Sequence, residues 1–239
     1  VTFPIEVCLS PLLLTNFSLS GKTVVVVDIF RATSVITTAL GEGVKAIYPV
    51  QTVEEAQALH RQDPATMLGG ERNSERIERF HLDNSPLSYR DLAGKRVVLT
   101  TTNGTRALAM ARAGGAEEVL VGSFLNLGAV AAYLRAGKRR VLVFCAGRKG
   151  AVNLEDSLFA GALVDALNES HQPANDAALM CRSLFRHHRD ELEETLRTAS
   201  HGQRLIRKSY GPDIAHAVQI DRYPIVPIYV NGKIVPFTE

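Results

Sequence analysis

"KTVVVVDIFRATSVITTAL", residues 22–40, decides how the rest of the chain is read. Four valines in succession leave no polar alternation, as expected of a strand covered on both faces. The run ends in an acid, Asp28, and Arg31 follows at the head of a stretch whose spacing predicts a helix near 31–41. A buried strand that passes through a polar turn into a helix is the opening of a β-α-β unit.

The same order recurs along the chain. Apolar runs predict strands near 23–27, 44–49, 66–68, 96–100, 118–122 and 140–145. Amphipathic stretches predict helices near 31–41, 53–61, 104–113, 126–136 and 155–168. The expected fold is three-layer α/β/α with a largely parallel or mixed sheet. "GKTVVVVD" at 21–28 echoes "GKRVVLTT" at 94–101, and "ALGEGVKAIYPV" at 39–50 echoes "ARAGGAEEVLVG" at 111–122. A steady offset of this kind reads as duplication. We therefore expect one compact unit, 1–239, made of two similar βαβαβ halves, about 21–93 and 94–170. A C-terminal helical and strand cover, 171–239, offers Asp213 or Asp221. The stretch 70–93 has little periodicity, and long irregular connections are often functional.

Composition narrows the function classes. The 239 residues carry a formal net charge of +2, with charged residues at 22%. That gives no general electrostatic case for nucleic acid or a membrane surface. Aromatics are 6% and tryptophan is absent, which disfavours a base-stacking surface. No apolar run reaches the ~20 residues that span a bilayer. The N-terminus lacks the basic region and cleavage site of a signal peptide. Three widely spaced cysteines, Cys8, Cys145 and Cys181, suit a reducing compartment, so the expected location is cytoplasmic. A hydrophobic content of 46% leaves room for a homodimer interface.

In open α/β sheets, ligands bind beyond the carboxyl ends of the strands. There this sequence places "DIFRATS", "GGERNSE", "TTTNGT", "GSFLN" and "CAGRKGAVNLED". Asp28 can be a metal ligand, a nucleophile or simply the cap of the next helix. A covalent aspartyl phosphatase of the dehalogenase type needs a second Asp two residues on, where this chain has Phe30, so the ligand role is favoured. Arg31 gains nothing from the helix dipole, and an anionic substrate explains it, as does a salt bridge to Asp28. Glu71 and Arg72 repeat the acid–base pairing, or form a routine surface pair. Thr102, Asn103, Gly104 and Thr105 make either an anion cradle or a threonine-rich cap. Glu155 and Asp156 open a helix, where acids are favoured anyway, and can also complete a hard-metal site. Cys145 reads as a buried thiol rather than a nucleophile. His60, His171, His187, His188 and His201 read as exposed.

Taken in order, "VVVDIFRATSVITTAL", "LGGERN", "LDNSPLSY", "TTTNGTRAL", "VGSFLN" and "CAG…LEDSLFAGALV" resemble the 2-phosphosulfolactate phosphatase family over about residues 20–165. The resemblance implies a cytoplasmic, Mg²⁺-dependent phosphatase of α/β fold. It would hydrolyse a small phosphorylated sulfonate in coenzyme M biosynthesis. The expected roles are then Asp28, Asp156, Glu71 and Glu155 for the metal, and Asp28, Arg31 and Asn103 for catalysis. Arg31, Arg72, Thr102, Asn103, Gly104, Thr105, Ser123 and Gly147 would contact the substrate. Two rivals stay open: an isochorismatase-like cysteine hydrolase using Asp28, Lys149 and Cys145, and an anion-binding regulatory module with no catalysis.

Overall fold

A run of valines survives as a central strand only if both of its faces are covered, and in the computed structural model they are. The structure describes residues 2–238. Strand β1 (Phe3–Cys8) precedes β2 (Lys22–Val27) and helix α1 (Ala32–Gly41). Then come β3 (Ala46–Pro49), α2 (Val53–Gln62), β4 (Thr66–Arg72) and the two-residue β5 (Glu75–Arg76). The second half holds β6 (Arg96–Thr100), α3 (Gly104–Ala113), β7 (Glu118–Gly122), α4 (Leu127–Gly137), β8 (Arg140–Cys145) and α5 (Leu154–Ala166). The remainder forms β9 (His171–Pro173), α6 (Asp176–His188), α7 (Leu192–Thr198), α8 (Ser200–Arg207), α9 (Gly211–Ala217) and the hairpin β10 (Pro227–Val230) and β11 (Lys233–Pro236). The six expected strands and five expected helices are all present. β1 was not anticipated: Ile5, Val7 and Cys8 are buried, and the strand pairs in parallel with β8.

The strand order is β5-β4-β6-β3-β11-β10-β7-β2-β8-β1-β9. Two parallel sets stand out in it, β4-β6-β3 and β7-β2-β8-β1-β9. In each set, the first strand of one half lies between the second and third strands of the other. The antiparallel hairpin β10–β11 joins the sets, at Ile228 against Leu120 and Ile234 against Ile47. Three antiparallel steps reverse direction. In a flat sheet the carboxyl ends of β2 and β6 would therefore lie on opposite edges. They meet instead: a Cβ on Gly104, after β6, would stand 2.7 Å from Asp28 Oδ2. The sheet must fold over at the hairpin, where each junction is a single paired position.

Helices α1 and α3 fill the fold. Val24, Val26, Leu142 and Phe144 share one cluster with Val35 and Ile36 of α1, Leu108 of α3, and Val97 and Leu99 of β6. On the outer faces, α4, α5 and α6 cover Val25, Val27, Val141 and Val143, while Ala56 of α2 packs on Val98. Every residue of α1 from Ala32 to Leu40 is buried. Its hydroxyls are accordingly all engaged: Ser34 donates to the Ile29 carbonyl, Thr33 accepts from the Asp28 amide, and Thr37 and Thr38 bond Ser123 and His216.

Candidate active site

The fold-over brings the turns after β2, β4, β6 and β8 around one cleft of about 460 Å³, its open part included. Asp28 stands at the tip of β2 and is 4% exposed. Burial pushes its carboxyl up to about 7, and the nearby Glu71 and Glu155 push the same way, while His201 and the Ala32 amide oppose them. Glu71, at the end of β4, accepts from the amides of Ser74 (2.7 Å) and Thr102 (2.8 Å). It thereby ties the β4 turn to the β6 turn beside Asp28. Gly104 is required here, since a Cβ would also lie 2.4 Å from the Ala32 Cβ.

Arg31 lines the cleft with its charge already matched. Its Nη1 donates to Asp213 at 2.8 Å, with both side chains 3% exposed, and its guanidinium lies 3.9 Å from the Tyr210 ring centre. The acid that pairs it is thus Asp213 of α9, not Asp28. Of the two acids offered by the C-terminal segment, Asp213 is the one at the site, and Ser85 holds it at 2.6 Å. Asp221 accepts from the Gly128 amide instead. Arg148, Lys149 and Arg204 add positive charge to the cleft, and Asn73, Ser74, Asn84, Thr102 and Asn103 add polar groups. Asn84 Oδ1 is buried with no partner among the described residues, so it is free for a ligand donor.

Of the residues expected from sequence, the cleft gathers Asp28, Arg31, Glu71, Thr102 and Asn103. Others have different partners. Arg72 bonds Thr100 Oγ1 at 2.9 Å and the carbonyls of Glu71 and Gln51. Thr105 exchanges hydrogen bonds with Thr101 across the turn into α3, whose N-cap, Asn103, makes no side-chain capping bond. Ser123 is fully buried against Thr37 and Asn126. Asp156 accepts the amides of Ile29 (2.9 Å) and Gly147 (3.1 Å), so it braces the Asp28 turn against the β8 turn. Burial and the neighbouring Asp28 and Glu155 hold the Asp156 carboxyl well above the usual range. Glu155 is fully buried and its Oε1 meets His201 Nδ1 at 2.8 Å. His201 lines the cleft and is 7% exposed, which corrects its reading as a surface residue. His171 is also buried, with Nε2 on the Arg139 carbonyl. Residue spacing could not find His201, because nothing local shows that α8 meets the head of α5 at Glu155.

Cys145 ends β8 fully buried, and burial holds its thiol well above the ordinary value. A thiolate is the reactive form. The geometry therefore gives the cysteine-hydrolase reading no support.

These features define an α/β protein whose cleft combines a carboxylate floor with a cationic wall, at the strand ends where such sheets take small anions. The chain belongs to the 2-phosphosulpholactate phosphatase family, whose model matches residues 8–232. It is 38% identical over 223 residues to a probable 2-phosphosulfolactate phosphatase of Symbiobacterium thermophilum, covering 91% of this chain and 95% of that one. Proteins of the same description from Thermotoga maritima (41% over 213 residues, 88% and 90% covered) and Caldanaerobacter subterraneus subsp. tengcongensis (41% over 219 residues, 90% of each) are similar.

Proposed function

We propose that this chain hydrolyses the phosphate monoester of a small sulfonated hydroxy acid, 2-phosphosulfolactate, giving 3-sulfolactate and phosphate. The coenzyme M route and the cytoplasm are the setting that this reaction implies. One observation carries the reading: a single cleft in which Asp28 and Glu71 face Arg31, Arg148, Lys149 and Arg204, in a chain of this family. A substrate with several anionic groups needs several cations. The wall supplies them at separate points, so that phosphate and sulfonate can be held at once.

Mg²⁺ fits the donor chemistry. Among the described residues no three His, Cys, Asp or Glu side chains converge as a ready metal cluster. Magnesium does not need one, because it commonly takes one or two carboxylates together with phosphate oxygens. Asp28 and Glu71 are the pair that would hold it, and both are hard oxygen donors on the cleft. Glu155 and Asp156 are fully buried behind the cleft and do not line it, whereas Glu71 keeps lone pairs beyond those that accept the Ser74 and Thr102 amides. When bound, the ion would draw charge from the phosphoryl oxygens. Arg31, fixed by Asp213, by Tyr210 and by an Nη2 bond to the Ser74 carbonyl, would offer its remaining N–H donors to an anion without reorganising. Thr102 and Asn103 at the head of α3 orient the ester.

The test is phosphate release from 2-phosphosulfolactate by the purified chain, with Mg²⁺ and after EDTA. We expect release that EDTA abolishes, that Asp28→Asn abolishes with its fold intact, and that Cys145→Ala leaves unchanged. No release by the wild type overturns the reading and favours an anion-binding module. Release that survives EDTA overturns the metal, and activity retained in Asp28→Asn overturns the role of Asp28.

A further inference from the structure

His201 has no task in the reaction as described so far, yet its placement is that of a reactive group. It sits on α8, which packs over the cleft from the C-terminal segment. Arg204, three residues on and on the same helix face, reaches Ser74 Oγ and the Asn73 carbonyl across the opening. The ring of His201 packs edge-on against Phe30, with 5.8 Å between centroids. Its Nδ1 meets Glu155 Oε1 at 2.8 Å. A carboxylate only accepts, so Nδ1 carries a proton and Nε2 is the other nitrogen. Nε2 has no partner among the described residues and is not among their buried unpaired atoms, so it opens on the cleft that His201 lines. Glu155 is 0% exposed, its Oε2 has no partner, and its Oε1 is spent on the imidazole. Burying a carboxylate for a surface-type ion pair would be costly. Burying one to fix the orientation of a histidine that faces a ligand is the carboxylate–histidine arrangement of acid–base sites.

We propose that His201 is a catalytic residue that donates the proton taken up by the departing alkoxide, with Glu155 as its positioning residue. This inference rests on the phosphatase reading. In the step, the oxygen of a water molecule bonds to phosphorus and the ester P–O bond breaks. The electron pair stays on the ester oxygen, which takes the Nε2 proton of His201 in its doubly protonated, imidazolium form. The proton lost by the water restores the imidazolium, and phosphate and a free hydroxyl leave. An aliphatic alkoxide is a poor leaving group and needs that proton, whereas 4-nitrophenolate does not.

The experiment compares two esters, 2-phosphosulfolactate and 4-nitrophenyl phosphate, in the wild type, His201→Asn, His201→Gln and Glu155→Gln, each checked for folding by thermal unfolding. Loss of a general acid is expected to lower kcat on the aliphatic ester about 10²–10⁴-fold and on the nitrophenyl ester less than about tenfold. Glu155→Gln should show the same selectivity with a smaller loss. If kcat on both esters falls together, His201 is structural or activates the water, and the proton-donor role is overturned while the phosphatase reading stands. A wild type that hydrolyses neither ester overturns both. If His201→Asn does not fold, the same comparison in His201→Gln decides the matter.

Discussion

His216 shows how a single buried ring can carry a pH dependence. Its Nδ1 lies 3.4 Å from Arg90 Nη2, and arginine has no acceptor, so Nδ1 must be the lone-pair nitrogen. Nε2 therefore carries the proton and donates to Thr38 Oγ1 at 2.8 Å, on the buried helix α1. Burial, then the charges of Arg222 and Arg90, lower its pKa from the ordinary 6.5 to about 4, against a weaker upward pull from Glu42. Above pH 6.5 both folded and unfolded chains hold it neutral, and its contribution is complete. Between 6.5 and 4 the unfolded chain takes up a proton that the folded chain refuses, so stability is lost as pH falls, by at most about 3 kcal/mol. Urea midpoints measured from pH 7 to 4.5 should fall more steeply for the wild type than for His216→Gln. Parallel slopes would rule this source out. Site residues divide along the same line. Asp28, Arg31, Glu71, Thr102 and Asn103 were legible because each sits on a turn next to its own strand. His201, Asn84, Arg204 and the true partner of Arg31 reach the cleft from segments whose approach depends on tertiary packing, to which local spacing is blind.

Elements were the most legible level, since a continuous apolar run and a 3.6-residue period are properties of the segment itself. What stayed hidden was which helices touch. Gly161 makes the point: in "LFAGALV" it reads as a mild flaw in a helix, and Ala there should gain about 1 kcal/mol of propensity. In the fold, α5 meets α6 at that residue so closely that a Cβ would lie 1.9 Å from the Cys181 carbonyl oxygen and 2.9 Å from the Phe185 Cβ. The obstructing atom is backbone and cannot rotate away. Separating the helices costs packing along the whole contact, on the order of 1–3 kcal/mol or more. The clash outweighs the propensity, so Gly161→Ala should be destabilising by thermal or urea unfolding. A neutral or stabilising result would mean that the two helices are less closely seated.

For the molecule as a whole, the sequence conveyed a repeat but not its weaving. Two βαβαβ halves placed side by side would keep each first strand with its own neighbours. In this chain β2 and β6 have changed places, and the halves cannot separate without breaking parallel ladders in both sets. The hairpin from the far C-terminus then sets the angle between the sets, and with it the meeting of Asp28 and Gly104. From sequence this segment was expected as a cover with strands, whereas Ile234 is fully buried in the cluster shared by α1, α3 and both sets. Ile234→Ala removes a core side chain at a joint that pairs one position only, Ile47, so little neighbouring structure can collapse to fill the gap. We expect a loss of about 2–5 kcal/mol in urea unfolding. Val235→Ala, on the half-exposed face of the same strand, should cost clearly less. If the two substitutions cost the same, the hairpin is an added edge, and the strand sets hold their angle through α1 and α3 alone.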